Sequence, residues 1–206
     1  MQSLLMLRHG ESEWNVAGRW QGWADVPLTA RGEAEAGRRA AHLARDGVAP
    51  RAIYTSDLVR ASRTAEIIAA HLEVPLVVHE GFRERHVGEW SGLTNDEIDA
   101  GWPGQREQWR RGEIPSPPGG ETDAELLARF DAGLTDALAH VGTGHLLVVG
   151  HNGNVRAAAR RAGGNVGATR VPNLSGFWFT IDGDGRLRDP VSVGTLPDED
   201  LHGDIE

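Results

Sequence analysis

Short, continuously apolar segments alternate along the chain with longer segments whose apolar residues recur at helical spacing. Strands of a parallel sheet are covered on both faces, so short apolar runs of this kind predict buried parallel strands. These runs occupy residues 3–7, 52–55, 76–78 and 145–149. The amphipathic segments, which predict helices between the strands, occupy residues 29–45, 57–72, 121–141 and 152–161.

This alternation predicts an α/β fold, a three-layer α/β/α sandwich around a mostly parallel sheet. Residues 176–181 and 189–193 flank the turn-forming sequence Asp182-Gly-Asp-Gly185, and we expect them to form a hairpin that adds an antiparallel edge strand. On the helix of residues 29–45 we expect a stripe of small residues on one face, comprising Ala34, Gly37, Ala41 and Ala44.

Two stretches lack the period of a strand or a long helix. Residues 10–28 hold three tryptophans and predict a long ordered loop, and residues 101–120 predict an excursion over one end of the sheet. Long loops in compact domains are usually functional or disordered, and tryptophans favour function. The acidic residues 197–206 predict a mobile tail. We expect residues 1–206 to form a single domain, and the sequence is compatible with a homo-oligomer.

Composition excludes several kinds of chemistry. The 206 residues include no cysteine and no lysine, whereas arginine occurs 21 times. Thiolate catalysis, Schiff-base lysines and Walker-type phosphate loops are therefore excluded. The net charge of −9 argues against binding to nucleic acid or to an anionic membrane, and no apolar run is long enough to span a bilayer. We expect a soluble cytoplasmic protein whose partner is a small molecule.

Charged and imidazole side chains follow three of the predicted strands. In open α/β sheets, ligands bind beyond the carboxyl ends of the strands, so these side chains should meet at one edge. Arg8 and His9 follow the first strand, Arg60 lies just beyond the second, and His151 follows the fourth. Glu84 comes after the third strand and supplies a carboxylate near the same edge.

Two histidines and two arginines at one sheet edge indicate phosphoryl transfer. Arginine binds phosphate oxygens through paired N–H groups, and a neutral imidazole attacks phosphorus near neutral pH. We therefore expect a phosphohistidine intermediate, with arginines in place of a metal and no cofactor. A carboxylic acid such as Glu84 would protonate the leaving alkoxide. Metal binding is the weaker alternative, because no His-Glu-x-x-His spacing occurs.

The residues that carry this chemistry lie in motifs of a known family. The segment from Leu7 to Asn15 (LRHGESEWN) strongly resembles the signature of the histidine phosphatase superfamily, which includes cofactor-dependent phosphoglycerate mutases. The resemblance covers most of residues 4–160. It continues through further motifs in the same order: QGWAD at residues 21–25, LTARG at 28–32, YTSDLVRA at 54–61, ERHVG at 84–88 and Gly150-His151.

This resemblance implies a role for each matching residue. His9 would be the nucleophile, Glu84 the proton donor and acceptor, and Arg8, Arg60 and His151 the rest of the phosphate pocket. Asn15 and Gln21 stand where family members contact phosphate oxygens. Asn152 departs from the family pattern, which has glycine after the second histidine, and its side chain would either narrow the pocket or bind the phosphate.

Three functions remain open: a phosphomonoester hydrolase, a phosphoglycerate mutase, and an inactive module that binds phosphorylated ligands. The presence of every expected catalytic residue disfavours the third. The chain is shorter than a typical mutase and lacks the lysine that mutases use near the substrate, and its acidic tail would repel a phosphoglycerate. These features favour the hydrolase.

The substrate is indicated by a segment in the excursion. Trp109, Arg110 and Arg111 resemble the residues with which mutases hold a substrate carboxylate, so we expect a phosphorylated carboxylate. The sequences GEWSGLT at residues 88–94 and GGET at 119–122 are similar to those of bacterial glucosyl-3-phosphoglycerate phosphatases.

Overall fold

The fold is built on one six-stranded sheet. The structure is a computed structural model and describes residues 2–164, 166 and 170–196. The strands are β1 (Gln2–Arg8), β2 (Ala52–Thr55), β3 (Leu76–Val78), β4 (His145–Gly150), β5 (Gly176–Ile181) and β6 (Leu187–Val193). The helices are α1 (Glu13–Val16), α2 (Ala30–Arg45), α3 (Val59–Leu72), α4 (Asn95–Gly101), α5 (Gln105–Arg110), α6 (Asp123–Val141) and α7 (Asn152–Arg161), with 3₁₀ turns at Glu80–Phe82 and Gly88–Trp90.

The strands follow the spatial order β3-β2-β4-β1-β5-β6. The pairs β2–β3, β2–β4 and β1–β4 are parallel, whereas β5 pairs antiparallel with both β1 and β6. The predicted α/β class and mostly parallel sheet are thus confirmed. The antiparallel strand β5 lies one position inside the sheet, and its hairpin partner β6 forms the edge.

Alternate residues of the strands pack against two separate helical layers. On one face, β1 and β4 bury Leu4, Met6 and Val148 against α6 and α7. On the other face, Leu5, Leu7 and their neighbours pack against α2 and α3. Burial on both faces explains why these strands are continuously apolar rather than alternating.

The predicted small-residue stripe of α2 is wrong. Ala34, Ala41 and Ala44 are exposed, and the buried apolar positions are Ala36, Ala40 and Leu43. Arg39 is also buried, and its Nη2 donates a hydrogen bond to the Gly194 carbonyl oxygen at 2.5 Å. The true stripe has the same helical spacing, displaced around the helix. With so many small residues on α2, periodicity alone did not identify the face that meets α3 and the sheet.

Both irregular stretches contain short helices that the sequence pattern did not predict. Residues 10–28 include the single turn α1, and residues 101–120 include α5. The second stretch packs against Gly88, where the Pro118 carbonyl oxygen approaches so closely that a Cβ at Gly88 would lie 2.0 Å from it. Gly88 also has a positive φ of 55°, which favours glycine. The acidic segment of residues 197–206, predicted to be mobile, lies outside the described residues. No helix in the described residues is long and apolar enough to cross a bilayer.

Candidate active site

The carboxyl ends of the parallel strands open into a cavity of about 1230 Å³. The register of β1 and β4 pairs Arg8 with Gly150, which brings the residues after each strand, His9 and His151, to the same edge. Arg60, in the first turn of α3, and Glu84 also border this site. The structure therefore brings together the five side chains that the sequence assigned to the strand ends.

His9 is held in one orientation by its own backbone. Its imidazole Nδ1 lies 2.7 Å from the Gly10 carbonyl oxygen, which can only accept a hydrogen bond, so Nδ1 carries the proton. The lone pair is then on Nε2, the nitrogen available for attack. The side-chain amide of Asn173 donates to the carbonyl oxygens of His9 and Gly10 at 2.8 and 3.0 Å and fixes this segment from the other side.

The surroundings of His9 keep the imidazole neutral. Burial lowers the pKa of His9 well below its usual 6.5, and the positive charges of Arg60 and Arg8 lower it further. Its side chain is 2% exposed. A neutral imidazole at physiological pH is the form that attacks an electrophile, so the environment prepares His9 for nucleophilic chemistry.

Arg8 and Arg60 are buried cations aligned by backbone carbonyls. Nη1 of Arg8 donates to the Val171 carbonyl oxygen at 2.7 Å, and the two Nη atoms of Arg60 each donate to a carbonyl oxygen at 2.8 Å. Burial lowers the pKa of each guanidinium to about 10, while the negative charge of Glu84 opposes that shift. Both stay charged near neutral pH. Their Nε atoms have no partner among the described residues, so each retains a buried donor for an anion.

His151 is fully buried and packs edge-on against His9, with the two ring centroids 5.2 Å apart. Its Nε2 is 2.7 Å from the Ser56 hydroxyl, and its Nδ1 has no partner among the described residues. Burial lowers the pKa of His151 well below 6.5, followed by the charge of Arg60. His151 itself is not among the described residues that line the cavity.

The Glu84 carboxylate is anchored at the beginning of α7. It accepts hydrogen bonds from the backbone N–H of Gly153, at 2.9 Å for Oε1 and 3.2 Å for Oε2, and from the backbone N–H of Arg85 at 2.8 Å. The Glu84 carbonyl oxygen accepts from Trp23 Nε1 and from Arg129 Nη2. Backbone and side chain are thus both fixed, and the carboxylate faces the same cavity as His9.

Asn15, Gln21 and Asn152 all line the cavity, and their amide oxygens are already engaged. Asn15 Oδ1 accepts from the Ser12 backbone and from Asn173, and Gln21 Oε1 accepts from the Ser12 hydroxyl. Asn152 Oδ1 accepts from the backbone N–H of Val171 at 3.0 Å. The unusual Asn152 therefore ties α7 to the segment that orients Arg8. Within the part of the chain that the structure describes, the amide nitrogens of all three residues remain as donors for a phosphate.

The excursion places Trp109, Arg110 and Arg111 on the cavity wall. Trp109 packs edge-on against Trp20 and the buried Trp90, with ring centroids 5.7 and 5.9 Å apart. Arg110 and Arg111 are exposed, and Arg111 forms an ion pair of 2.8 Å with Glu113. The tryptophan cluster thus supports the wall from which the two arginines project.

The cavity carries a charge opposite to that of the whole protein. Eleven arginines and two acidic residues, Glu84 and Asp123, are among the described residues that line it, whereas the chain has a net charge of −9. Clustering of one sign of charge in a cleft attracts and retains ligands of the other sign. This site is suited to an anion that is larger than a single phosphate group.

Several residues of the site were missed by the sequence motifs. Asn173 and Arg170 lie in the irregular segment before β5, where no pattern marks them. Arg156 and Arg160 lie on α7, whose helical period was recognised without predicting which face meets the cavity. Their spacing of four residues, starting five residues after His151, was the available signal.

Comparison with known proteins places this fold and site in one family. A mostly parallel sheet that brings a buried neutral histidine under the influence of two buried arginines defines a class of protein suited to phosphate esters. The sequence model of the histidine phosphatase superfamily (branch 1) matches residues 4–186, and the chain belongs to that family. The resemblance found in the motifs is thereby confirmed.

Curated relatives and solved structures carry different activities in their names. The 2,3-bisphosphoglycerate-dependent phosphoglycerate mutase of Methylobacterium radiotolerans is 37% identical over 177 residues, 83% of each chain. The protein of the same name from Methylobacterium sp. (strain 4-46) is 38% identical over 94% of this chain and 95% of its own. A mycobacterial glucosyl-3-phosphoglycerate phosphatase, solved in complex with VO3, is 29% identical with a TM-score of 0.81, covering 95% of this chain and all of that one.

These relatives remove one argument made from the sequence. The short chain was expected to distinguish a hydrolase from a mutase, but a relative named as a mutase aligns along 95% of its own length. The glucosyl-3-phosphoglycerate phosphatase is likewise covered along its whole length by this chain. Length therefore does not separate the two activities.

Proposed function

We propose that this protein is a metal-independent phosphomonoester hydrolase that acts in the cytoplasm on a small phosphorylated metabolite through a phosphohistidine at His9. The observation that carries the proposal is the state of His9. Its Nδ1–H is bound to the Gly10 carbonyl oxygen, and its pKa is lowered by burial and by Arg60 and Arg8. A fixed, neutral imidazole close to two cations suits attack on a phosphate dianion.

In the first step, His9 Nε2 forms a bond to phosphorus and the ester P–O bond breaks. Arg8 and Arg60 would stabilise the charge on the equatorial oxygens, and the donors of Asn15 and Gln21 would hold the same oxygens. The departing alkoxide takes a proton from the Glu84 carboxyl group and leaves as the alcohol. Glu84 becomes a carboxylate that the Gly153 and Arg85 N–H groups stabilise.

In the second step, the Glu84 carboxylate accepts a proton from water as the water oxygen attacks phosphorus. The N–P bond breaks, its electron pair returns to His9 Nε2, and inorganic phosphate leaves. Glu84 is protonated again, so the cycle closes without a metal or an external acid. His151, which packs against His9 and is hydrogen-bonded to Ser56, would stabilise the phosphoryl group throughout.

Two observations support hydrolysis over transfer to a second substrate position. A mutase must keep water from its phosphoenzyme, whereas this cavity of about 1230 Å³ exceeds the roughly 300–1,000 Å³ of typical ligand pockets and has the exposed side chains of Arg110 and Arg111 on its wall. A structural neighbour at 29% identity is a phosphatase of a glucosylated phosphoglycerate. We propose the same substrate class, a phosphorylated carboxylate, with Trp109, Arg110 and Arg111 contacting its carboxylate.

Phosphoglycerate mutase is the second candidate, favoured by the names of the relatives at 37% and 38% identity. Those names specify dependence on 2,3-bisphosphoglycerate, and the arginine-rich cavity fits a bisphosphate that would phosphorylate His9. An inactive binding module is disfavoured, because Arg8, His9, Arg60, Glu84 and His151 are all in place.

The deciding experiment follows 3-phosphoglycerate with a trace of 2,3-bisphosphoglycerate by phosphorus NMR, in parallel with glucosyl-3-phosphoglycerate. A hydrolase releases inorganic phosphate from at least one of these esters. Formation of 2-phosphoglycerate without inorganic phosphate would make the protein a mutase. The same samples run with the His9→Ala variant give the background for both reactions.

A further inference from the structure

Helix α6 contributes an arginine whose guanidinium is bound on every side by the protein itself. The cavity lining, as far as the described residues form it, does not include Arg129, and its side chain is 20% exposed. A guanidinium has five N–H groups, and all five donate hydrogen bonds here. Nη1 donates to the carbonyl oxygens of Gly81 and Arg83 at 3.0 and 2.7 Å, and Nη2 donates to that of Glu84 at 2.8 Å. The remaining two bonds go to the Glu121 carboxylate, at 2.7 Å from Nε and 2.8 Å from Nη2.

The three carbonyl oxygens that Arg129 binds belong to residues 81–84, the segment that ends with the proposed acid. Helix α6 packs so closely against this segment that a Cβ at Gly81 would lie 2.6 Å from the Arg129 carbonyl oxygen. The fourth carbonyl oxygen, that of Phe82, accepts from Asn154 Nδ2 of α7 at 2.7 Å. Every carbonyl oxygen of the segment therefore accepts a hydrogen bond from a side chain, which fixes the path of the backbone.

Trp23 binds the same end of this segment. Its indole Nε1 donates to the Glu84 carbonyl oxygen at 2.6 Å, and the Arg129 guanidinium carbon lies 5.8 Å from the centroid of its ring. A cation at this distance over an indole is attracted by the electrons of the ring. The Glu84 carbonyl oxygen is thus held by two side chains that also attract each other.

Glu121 connects Arg129 to the end of the excursion. Its carboxylate is 11% exposed and binds Arg129 through two parallel hydrogen bonds, the strongest geometry of an arginine–carboxylate pair. Glu121 also forms two hydrogen bonds with the backbone of His86. Its N–H donates to the His86 carbonyl oxygen at 2.8 Å, and its Oε2 accepts from the His86 N–H at 3.2 Å. One carboxylate therefore anchors both Arg129 and the chain just after Glu84.

We propose that Arg129, held by Glu121, is a positioning residue for the proposed acid Glu84. The inference rests on the proposed function, in which the Glu84 carboxyl group must lie within reach of the leaving oxygen. Arg129 holds the backbone of Glu84. The N–H groups of Arg85 and Gly153 hold its carboxylate separately. A displacement of about 1 Å in a reacting group costs roughly 100-fold in rate, so a residue outside the cavity controls the proton transfer.

The first test measures the position of the Glu84 carboxylate without turnover. The Gly153 N–H lies in the first turn of α7, where N–H groups have no partner within the helix, so its hydrogen bond to Glu84 protects it from exchange with solvent. We expect Arg129→Gln to speed amide exchange at Gly153 about tenfold, measured by NMR. Arg63→Gln is the matched control, because it removes an exposed ion pair with the same Nε–Oε1 distance of 2.7 Å, and it should leave this exchange unchanged.

The second test shows whether Arg129 acts through Glu84. Arg129→Gln should lower kcat on alkyl phosphates about tenfold or more, and should affect the phosphorylation step with 4-nitrophenyl phosphate far less, since that leaving group needs no proton. In the Glu84→Gln background the same change should cost less than about twofold, because the group that Arg129 positions is already lost. Arg129→Lys keeps the charge without the planar fork and should show the same pattern as Arg129→Gln.

Glu121→Gln provides a second variant that leaves Arg129 in the chain, and it should change both measurements in the same direction. The proposal is overturned if Gly153 exchanges at the parent rate in the Arg129→Gln and Glu121→Gln proteins. It is also overturned if Arg129→Gln costs the same factor with and without Glu84, the result expected of a merely structural residue. Release of inorganic phosphate that depends on His9 tests the proposed function separately. Faster exchange at Gly153 in a protein without that activity would support the positioning of Glu84 and reject the hydrolase.

Discussion

The Glu84 carboxylate accepts a hydrogen bond from the Gly153 backbone N–H at 2.9 Å. Gly153 lies two residues after His151 in the first turn of α7, where unpaired N–H groups and the helix dipole favour a negative charge. The proposed acid and the second histidine are therefore coupled through one short segment. A substitution in that segment should alter proton transfer by moving the Glu84 carboxylate, while Glu84 and His151 both keep their side chains.

The Gly153→Ala substitution should displace the Glu84 carboxylate. A Cβ at this position would lie 2.2 Å from Glu84 Oε1, and the flexible end of the glutamate would have to move. We expect kcat on alkyl phosphates to fall about tenfold or more, with little loss of stability. The matched control is Gly37→Ala in α2, whose Cβ would meet nothing within 4 Å and should stabilise the protein by about 0.4–1 kcal/mol. Unchanged kinetics in Gly153→Ala would contradict the need for this carboxylate position.

Glu84→Gln should slow the hydrolysis of phosphate esters, and the loss should grow with the basicity of the leaving group. Alkyl alkoxides need a proton from Glu84, whereas 4-nitrophenolate leaves without one, so the loss should be about 10²–10⁴-fold on alkyl phosphates and far smaller in the phosphorylation step with 4-nitrophenyl phosphate. Pre-steady-state release of 4-nitrophenolate isolates that step. Glu89→Gln, at an exposed neighbouring position, is the control. Equal losses on both esters would remove Glu84 from the role of acid.

His9→Ala should abolish turnover, by about four orders of magnitude or more, and with it the acid-labile phosphoenzyme. Rapid quenching with a ³²P-labelled ester measures the covalent intermediate directly. The variant should keep the circular dichroism of the parent, because the adjoining strand β1 is paired on both sides independently of this side chain. Retained phosphoenzyme in His9→Ala would assign the nucleophile to another residue.

Stability should fall as the pH drops below 6.5. His9 and His151 have folded-state pKa values well below 6.5, so under acidic conditions the unfolded chain binds protons that the folded chain does not. Stability is thus fully present above the unfolded pKa, and each histidine contributes a slope of up to about 1.4 kcal/mol per pH unit below it. Urea unfolding from pH 7 to 5 in phosphate-free buffer measures the slope.

The control for this pH dependence compares variants of the two buried histidines with a variant of an exposed histidine. His9→Gln and His151→Gln should each flatten the slope, whereas His71→Gln, at an exposed position on α3, should not. A slope that is the same in all three variants would mean that the two buried imidazoles become protonated without unfolding the protein.

The sequence determined the sheet and the cluster of proposed catalytic residues. Strands β2 and β3 have the predicted limits. Every residue of β2 is buried as predicted, whereas the prediction that β3 is buried on both faces is wrong: β3 lies at the edge of the sheet, Leu76 and Val77 are half-buried and Val78 is exposed. The same logic placed Arg8, His9, Arg60 and His151 at one edge, since parallel strands end on the same side. These inferences depend only on local pattern and on the rule that connects strand ends to sites.

Only the tertiary structure decided which face of each helix packs against the rest of the protein and which face lines the cavity. The stripe of α2 was misassigned, because alanines occur around the helix and the buried set depends on its neighbours. The period of α7 was recognised, but the cavity contacts of Arg156 and Arg160 depend on the rotation of that helix against the sheet and on the position of α5. Asn173 contacts the backbone of His9 across 164 positions of chain. Contacts and charge clusters formed by distant segments depend on tertiary packing, and the local spacing of residues along the chain does not predict them.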